Sequence, residues 1–211
     1  MILEVFPVGP LAANCILIGD EQAGEALVID PGAEAKRIHR RVTELGLKVK
    51  EILLTHAHID HVGAAFQLKH LTDAPIYLHE NDLELLNSLD AQAAWLGMVA
   101  PEVSQPDEGL HDGQTVGLER INAKVLHSPG HTQGSVCFYF AAQGLLIAGD
   151  TLFAGSVGRT DLPGGNYEHL MRSLQTQLMP LPDETRVISG HGPATTIGEE
   201  RRNNPFLRTN A

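Results

Sequence analysis

One short stretch constrains this chain more than any other. The segment LLTHAHIDHVGAA, residues 53–65, places His56, His58, Asp60 and His61 within six positions. An apolar run precedes these side chains and an amphipathic segment follows them, which predicts a strand, a turn and then a helix. His56 and His58 project to the same side of an extended backbone, whereas Asp60 and His61 fall at the start of the helix. The spacing therefore predicts a single pocket lined by all four side chains.

The chemistry of these four side chains indicates a metal site. Imidazole nitrogen and carboxylate oxygen bind divalent metals at about 2.0 to 2.2 Å, and the positive end of a helix favours the anionic Asp60. A single histidine at the end of a strand is more often an ordinary hydrogen-bonded residue. Three histidines and an aspartate at this spacing are rare by chance, so we interpret the stretch as a set of metal ligands.

Three later segments repeat one arrangement, in which an apolar strand ends in a glycine-containing turn that carries a possible ligand. VLHSPGHTQGS contains His131, LLIAGDT contains Asp150 and VISGHGP contains His191. Rigid scaffolds commonly present functional side chains from such turns. With the first stretch the chain offers seven donors. Because that number exceeds the four ligands of a tetrahedral site, it favours two metals that share a bridging ligand.

Length and charge limit the remaining possibilities. A chain of 211 residues predicts one domain, residues 1–211. The formal net charge of -11 argues against nucleic acid or an anionic membrane as a partner. No apolar run reaches membrane-spanning length, and the start MILEVFPVGP lacks the features of a secretory signal, so a cytoplasmic location is expected. Cys15 and Cys137 lie singly in apolar runs and are expected to be buried thiols without chemistry. The oligomeric state is not indicated.

The order of secondary structure predicts a mixed α/β fold. The first third indicates three strands, a helix over 33–45 that glycine ends, and a strand before the histidines. A helix through VGAAFQLKHL, a strand at APIYLH, a helix from Asn81 and a surface loop from Gly97 to Gly113 are expected next. Later segments predict strands at TVGL, INAKVLHS, GSVCFYF, GLLIAG and TRVIS, with a helix at YEHLMRSLQTQL. Strands in two groups with interspersed helices predict a sheet sandwich with helices outside.

At this point the sequence is similar to a known family. THAHIDH followed by separated His131, Asp150 and His191, together with the early LVIDPG, resembles the metallo-β-lactamase superfamily over nearly the whole chain. The resemblance implies a four-layer αββα sandwich with metals at one edge of the paired sheets. It implies a first metal on His56, His58 and His131, and a second on Asp60, His61 and His191, with Asp150 as the bridge. Asp30 matches a family aspartate that supports the ligands from behind, as metal-bound imidazoles usually require.

The expected reaction class is metal-assisted hydrolysis. Two divalent ions would lower the pKa of a shared water from about 15.7 to about 7, which supplies a nucleophile without a Ser or Cys triad. Asp60 and Asp150 are the catalytic residues in this interpretation, and their two negative charges offset part of the charge that the ions bring. A shell of histidine and carboxylate without cysteine accepts zinc, iron or manganese, and we expect two zinc ions.

Within the superfamily the chain looks most like the glyoxalase II group, in a short form without the C-terminal helical domain. GDTLFAG, SPGHTQGSV and TTIGEERRNNPFL carry this resemblance. It implies a small-molecule glutathione thioester as substrate, such as S-D-lactoylglutathione, which is hydrolysed to D-lactate and glutathione. Asp150 stands where β-lactam-hydrolysing members usually have cysteine, which argues against antibiotic hydrolysis.

Other interpretations remain open. GSVGRTDLPGG resembles a loop of the persulfide dioxygenases, which use one iron held by two His and one Asp, so oxidation of glutathione persulfide is the alternative activity. Arg159 in this loop suits a substrate carboxylate, and a salt bridge to Asp161 or Glu168 is an equally weighted interpretation. Nuclease activity conflicts with the acidic charge. A purely structural metal conflicts with the absence of cysteine ligands.

Overall fold

The computed structural model describes residues 1–208, which form two compact units. The first unit comprises Met1–Leu110 and Gly117–Asn122, and the second comprises His111–Val116 and the chain from Ala123 onward. Each unit contains one six-stranded sheet and several helices. The predicted mixed α/β class is therefore confirmed, whereas a single domain over residues 1–211 stays a prediction.

The sheet of the first unit has the strand order β1-β2-β3-β4-β5-β6. Its first three strands are antiparallel, and β4, β5 and β6 continue from β3 in parallel. The strands are β1 Ile2–Val8, β2 Ala13–Asp20, β3 Glu25–Ile29, β4 Lys48–Leu53, β5 Ile76–His79 and β6 Glu108–Leu110. All eight residues of β2 are buried, which fits a strand with neighbours on both edges and both faces covered.

Helices of the first unit pack on this sheet through apolar faces. Helix α1, Ala35–Glu44, buries Ile38 and Val42 at a spacing of one turn in the same apolar cluster as strand residues such as Ile52. It ends as predicted, because Gly46 adopts a φ of 71° just after the last turn. The predicted strands and the first helix of this part of the chain are confirmed.

The segment after the histidines contains two helices instead of the one predicted. Helix α2 spans Ile59–Val62 and helix α3 spans Ala65–Thr72. The break lies at Gly63, where a Cβ atom would come within 2.5 Å of the Gly32 carbonyl oxygen. The close approach of the turn at Gly32 thus ends α2 and separates it from α3.

Two further predictions for the first unit need correction. The helix expected from Asn81 is a 3-10 turn, Glu80–Asp82, followed by the short helix α4, Leu83–Leu86, and by helix α5, Leu89–Leu96. The expected loop from Gly97 to Gly113 contains the edge strand β6, which pairs with β5. The sequence of β6 is only Glu-Gly-Leu, and two of its three residues are exposed, so no hydrophobic pattern marks it.

The sheet of the second unit has the order β14-β13-β10-β9-β8-β7. Its strands are β7 Thr115–Gly117, β8 Asn122–His127, β9 Val136–Phe140, β10 Leu145–Gly149, β13 Arg186–Ser189 and β14 Thr195–Thr196, and β11 Leu152–Phe153 pairs with β12 Ser156–Val157 separately. The five predicted strands are confirmed, whereas β11, β12 and β14 were not predicted. Two-residue strands are too short to show a hydrophobic period.

Helices α6, Tyr167–Ser173, and α7, Ile197–Asn203, complete the second unit. The predicted helix at YEHLMRSLQTQL is confirmed, and its second half, Leu174–Leu178, is a wider π-helical turn. Leu170, Leu174 and Ile197 pack in one apolar cluster with residues of β10 and β13. Among the helices of residues 1–208, none combines the length and apolar character needed to cross a membrane.

Candidate metal centre

In the first unit the four predicted ligands lie together after β4, with His56 and His58 in the turn that leads to α2 and Asp60 and His61 in α2 itself. The imidazole rings of His56 and His58 are perpendicular, with 4.8 Å between their centroids, and the rings of His56 and His61 are 4.1 Å apart. His61 Nε2 lies 3.7 Å from Asp60 Oδ2. His56 and His61 are buried, whereas His58 and Asp60 are partly exposed. Residues 56–61, which we call the ligand turn, therefore present three imidazoles and one carboxylate in one place.

Asp30 orients this set from behind. It is fully buried at the end of β3, and its Oδ2 lies 2.9 Å from His61 Nδ1. Thr55 donates to the same carboxylate from its backbone N–H, at 2.8 Å, and from its hydroxyl, at 2.6 Å. An ionised carboxylate only accepts hydrogen bonds, so His61 Nδ1 is the donor and His61 Nε2 keeps its lone pair for a metal. The position predicted for Asp30 agrees with this arrangement.

The aspartate-proline-glycine turn that contains Asp30 requires its glycine. A Cβ atom at Gly32 would lie 1.5 Å from the carbonyl oxygen of Asp60. The same turn accepts a hydrogen bond at Pro31, whose carbonyl oxygen lies 2.9 Å from the Ala64 N–H. The LVIDPG motif thus serves two purposes, since its aspartate orients His61 and its glycine lets the turn approach α2.

Two side chains that hold the ligand turn were not singled out from the sequence. Asp82, which is 1% exposed, accepts a hydrogen bond of 2.9 Å from the backbone N–H of Ala57. Gln92 on α5 accepts one of 2.9 Å from the N–H of Ile59. Both residues follow the turn by more than 20 positions. No local sequence motif connects Asp82 or Gln92 to the ligand turn. A buried aspartate is nevertheless expected to be hydrogen-bonded, because a buried carboxylate without partners is costly.

The second unit gathers the other three predicted ligands. Asp150 Oδ2 lies 3.6 Å from His131 Nε2 and 3.9 Å from His191 Nε2. Each ligand stands where the sequence predicted it, His131 in the turn between β8 and β9, Asp150 just after β10, and His191 just after β13. The His131 Nδ1 atom lies 2.9 Å from the carbonyl oxygen of Arg159. Since a carbonyl only accepts, Nδ1 carries the proton and Nε2 faces Asp150.

Glycines let the turns of the second unit approach one another closely. A Cβ atom at Gly158 would lie 2.0 Å from the Asp150 carbonyl oxygen and 3.3 Å from the His131 Cβ atom. At Gly130, which has a φ of 140°, it would lie 2.3 Å from the backbone nitrogen of Leu170. The backbone around His131 and Asp150 is therefore packed against neighbouring backbone on several sides. This packing restricts the directions in which the two side chains can point.

Arg159 forms the salt bridge that was one of its two interpretations. Its guanidinium donates to both carboxylate oxygens of Asp161, at 2.8 Å each, and Arg159 lowers the pKa of Asp161 to about 2. The partner is Asp161 rather than Glu168. The two side chains are 54% and 69% exposed, so water and salt weaken the pair and a substrate carboxylate could compete for the guanidinium. Substrate binding by Arg159 stays a prediction.

Both cysteines and several other histidines have ordinary surroundings, as expected. Cys15 and Cys137 are buried thiols, and burial raises the pKa of the Cys15 thiol far above its usual range. His79 accepts a hydrogen bond from the N–H of Asn81 at the start of the 3-10 turn. His127 Nε2 lies 3.0 Å from the carbonyl oxygen of Gln133 and donates to it.

The donor chemistry of both sets fits a divalent transition metal. The first unit offers three imidazoles and a carboxylate, and the second offers two imidazoles and a carboxylate. Imidazole and carboxylate ligands without thiolate suit zinc, iron or manganese. The two fixed tautomers, at His61 and His131, leave Nε2 available in each unit, as a metal ligand requires. The fold and these residues define an α/β protein with candidate metal-binding sites.

Comparison with known proteins identifies the family. The Metallo-beta-lactamase superfamily matches residues 8–191, so the chain belongs to this superfamily of metal-binding hydrolases. The match confirms the fold class that the sequence predicted. It extends across both units and includes all seven predicted ligands and Asp30.

Three relatives match along nearly their full length. A protein of Aquifex aeolicus (strain VF5), which has no functional description, is 48% identical over 209 residues, covering 98% of this chain and 97% of its own. Hydroxyacylglutathione hydrolase GloC of Haemophilus influenzae is 44% identical over 211 residues, covering 99% of both chains. "Probable metallo-hydrolase YqgX" of Bacillus subtilis (strain 168) is 40% identical over 203 residues, covering 95% of both.

Three solved structures share the fold at appreciable identity. BLEG-1 B3 metallo-beta-lactamase has a TM-score of 0.91 at 36% identity, with 99% of this chain and 100% of that chain covered. TTHA1623 in a di-iron-bound form has a TM-score of 0.87 at 43% identity, with 95% and 98% covered. ETHE1 from Myxococcus xanthus has a TM-score of 0.82 at 30% identity, with 97% and 84% covered. These neighbours establish the fold, and their names do not agree on one activity.

Proposed function

We propose that this protein is a thioester hydrolase that cleaves glutathione thioesters such as S-D-lactoylglutathione to D-lactate and glutathione. The observation that carries the proposal is the similarity to hydroxyacylglutathione hydrolase GloC, at 44% identity over 99% of both chains. The aspartate at position 150, in place of the cysteine typical of β-lactam-hydrolysing members, supports the same conclusion. A cytoplasmic location, and a small molecule rather than nucleic acid or membrane as partner, belong to this proposal.

The seven ligands are proposed to act as one centre for two divalent metals. His56, His58 and His131 would hold the first metal, Asp60, His61 and His191 the second, and Asp150 would bridge them. Zinc is the expected metal, and the di-iron form of TTHA1623 makes iron a second choice. When bound, such ions polarise a carbonyl oxygen and lower the pKa of water to near neutral.

Side chains of this protein prepare the centre in two ways. Asp30 and the Arg159 carbonyl keep the protons of His61 and His131 on Nδ1, so that Nε2 of each ring can bind metal without first losing a proton. Asp60 and Asp150 contribute negative charge that partly compensates two divalent ions, leaving a net positive region for an anionic substrate. The Arg159 guanidinium would exchange Asp161 for a glutathione carboxylate.

The chemistry of the thioester suits a site without a strong general acid. A thiolate leaving group departs without first being protonated, so the protein needs to bind and orient the thioester more than to donate a proton. In residues 1–208, neither cysteine provides an alternative nucleophile, because both are buried. The proposal therefore requires no covalent intermediate on the protein.

A second candidate activity is oxidation of glutathione persulfide by a single iron. The loop GSVGRTDLPGG and the match to ETHE1 at 30% identity favour it. This candidate requires one metal per chain and oxygen as a second substrate. Because it uses two His and one Asp as ligands, it leaves much of the seven-residue set without a function.

One set of assays separates these candidates. The purified protein, with its metal content measured, is given S-D-lactoylglutathione while thiol release is followed, and glutathione persulfide while oxygen uptake is followed. Thiol release that needs two metals per chain and stops after chelation supports the proposal. Oxygen uptake with one iron per chain and no thiol release supports the second candidate.

A β-lactam substrate is included because BLEG-1 shares the fold. Hydrolysis of the β-lactam at a rate equal to or above that of the thioester would contradict the proposal. Thiol release that is undiminished after complete metal removal would contradict the metal centre itself.

A further inference from the structure

We propose that Gln92 is a positioning residue for the metal ligands, holding the ligand turn from helix α5 by hydrogen bonds to its backbone. This inference rests on the proposed role of His58 and Asp60 as ligands, and it concerns the affinity for metal rather than the choice of substrate. All groups involved belong to the first unit.

The side-chain amide of Gln92 contacts three backbone groups at once. Its Oε1 accepts from the N–H of Ile59 at 2.9 Å, and its Nε2 donates to the carbonyl oxygens of Ala57, at 3.3 Å, and Leu85, at 3.1 Å. Two of these groups alternate with the ligands, since Ala57 lies between His56 and His58 and Ile59 lies between His58 and Asp60. One amide on α5 thus ties the turn on both sides of His58 to helix α4, which contains Leu85.

The hydrogen bond between Gln92 and Ile59 provides an acceptor at the N-terminus of helix α2. Helix α2 begins at Ile59, and its N-cap residue is His58, which forms no side-chain capping hydrogen bond. The first N–H groups of a helix need acceptors from outside it. Gln92 Oε1 supplies one from α5, so an acceptor for the first turn of α2 comes from outside the ligand turn.

Asp82 supports the neighbouring N–H group, so the turn has two separate side-chain anchors. Asp82 Oδ2 accepts from Ala57 N–H at 2.9 Å, whereas Gln92 donates to the Ala57 carbonyl oxygen and accepts from the Ile59 N–H. Both polar groups of the Ala57 residue are therefore bonded to side chains. Because side chains that support metal ligands affect affinity by about 10- to 100-fold, loosening this turn should weaken metal binding even though no ligand is removed.

The test measures zinc affinity without substrate. Full-length zinc-loaded protein is titrated with a chromophoric chelator, and Gln92→Ala and Gln92→Met are compared with the wild type. Gln92→Met keeps the length of the side chain and removes its three hydrogen bonds. We expect both variants to lose zinc affinity by about 10-fold or more, with altered visible absorption after replacement of zinc by cobalt.

A matched control separates positioning from general loss of stability. Asp107→Ala also removes a bond to a backbone N–H in the first unit, at Ile76, together with a salt bridge to Lys69, and it lies outside the ligand turn. It should lower the melting temperature while zinc affinity and the cobalt spectrum stay unchanged.

Three results would overturn the inference. They are wild-type zinc affinity in Gln92→Met, a cobalt spectrum identical to that of the wild type in both variants, and an equal loss of zinc affinity in Asp107→Ala. The first two leave the proposed thioesterase untouched. A wild-type chain that binds no zinc, iron or manganese would instead overturn the proposed function together with this inference.

Discussion

At the scale of single residues, the candidate centre depends on which nitrogen of each imidazole carries a proton. The Asp30 carboxylate decides this for His61, and the Arg159 carbonyl oxygen decides it for His131. Two different acceptors thus have the same effect in the two units, because each accepts from Nδ1 and directs Nε2 away from itself. In the sequence, Asp30 was expected to support the metal ligands. The Arg159 carbonyl could not be predicted in the same way, because every residue has a backbone carbonyl and no residue type marks the one that accepts.

Asp150 is the one carboxylate among the three predicted ligands of the second unit, so it is the source of negative charge there. Its Oδ2 atom faces both His131 Nε2 and His191 Nε2. Asp150→Asn keeps the shape and removes the negative charge, so we expect metal content to fall by about one ion per chain and thioester hydrolysis to drop by at least about 100-fold. Elemental analysis and a thiol-release assay measure both. Glu184→Gln, an exposed carboxylate in the same unit, is the control, and full metal content in Asp150→Asn would contradict the bridging role.

The backbone and the side chain of Arg159 have different roles in the proposal, and mutation can separate them. The orientation of His131 depends on its backbone carbonyl, whereas the predicted contact with a substrate carboxylate depends on its guanidinium. Arg159→Ala retains the first and removes the second. We expect KM for S-D-lactoylglutathione to rise about 10-fold while kcat changes little, as loss of uniform substrate binding predicts. Steady-state kinetics test this, and an unchanged KM would leave the Arg159 guanidinium with only its salt bridge to Asp161.

At the scale of secondary-structure elements, the predicted ligands lie in the segments that follow strands, including the start of α2, and glycines let neighbouring turns pack there. β4, β10 and β13 each end just before a predicted ligand or a ligand-bearing turn. Gly32 and Gly158 then allow close backbone contact with Asp60 and Asp150 respectively. The placement of the predicted ligands within each unit therefore depends on packing between turns as well as on the strands.

Gly32→Ala tests this packing directly. The new Cβ would lie 1.5 Å from the Asp60 carbonyl oxygen, so α2 must move with Asp60 and His61. We expect a loss of stability of at least about 3 kcal/mol, as for a forced backbone shift, and weaker metal binding. Thermal unfolding and zinc titration measure these effects. Gly46→Ala meets no atom within 4 Å and strains only its φ of 71°, so its cost should be about 1 kcal/mol. Equal costs for the two variants would refute the packing argument.

At the scale of the whole molecule, stability depends on how charges are placed within each unit. Most carboxylates are exposed or paired, but Glu51 on β4 is partly buried and accepts one hydrogen bond, from the Gly117 N–H at 3.0 Å. Burial raises the pKa of Glu51 above its ordinary value of 4.5, although the Gly117 bond opposes the shift. Folding therefore favours the protonated form of Glu51. Its contribution to the stability of the folded state is complete below pH 4.5 and is lost as the pH rises through the pKa of Glu51 in the folded protein.

Glu51→Gln should stabilise the protein at neutral pH. Glutamine carries no charge and can still accept from Gly117, so the cost of burying the carboxylate disappears. We expect the melting temperature at pH 7 to rise by about 1–3 °C, and the advantage over the wild type to vanish near pH 4. Calorimetry across this range measures the difference, with the exposed Glu119→Gln as control. A variant that is less stable than the wild type at pH 7 would contradict the assigned direction of the pKa shift.

Several features of the fold could not be predicted from the sequence for definable reasons. Strand β6 exists because Tyr77, Leu78 and His79 pair with it, and its own residues show no hydrophobic period. The break between α2 and α3 comes from the approach of Gly32, which is distant in sequence from Gly63. Both depend on partners elsewhere in the chain, which a local pattern does not record.

The sequence by itself determined the class of chemistry and the positions of its seven possible ligands. The reason is that histidine and aspartate are metal-binding side chains whatever fold surrounds them. It also determined most strands, since their hydrophobic runs are continuous. Only the tertiary structure decided which nitrogen of His61 and His131 is available and which side chains, Asp82 and Gln92, hold the ligand turn. The reason is that these properties arise from hydrogen bonds between residues 20 or more positions apart, and hydrogen bonds of that kind exist only when the chain is folded.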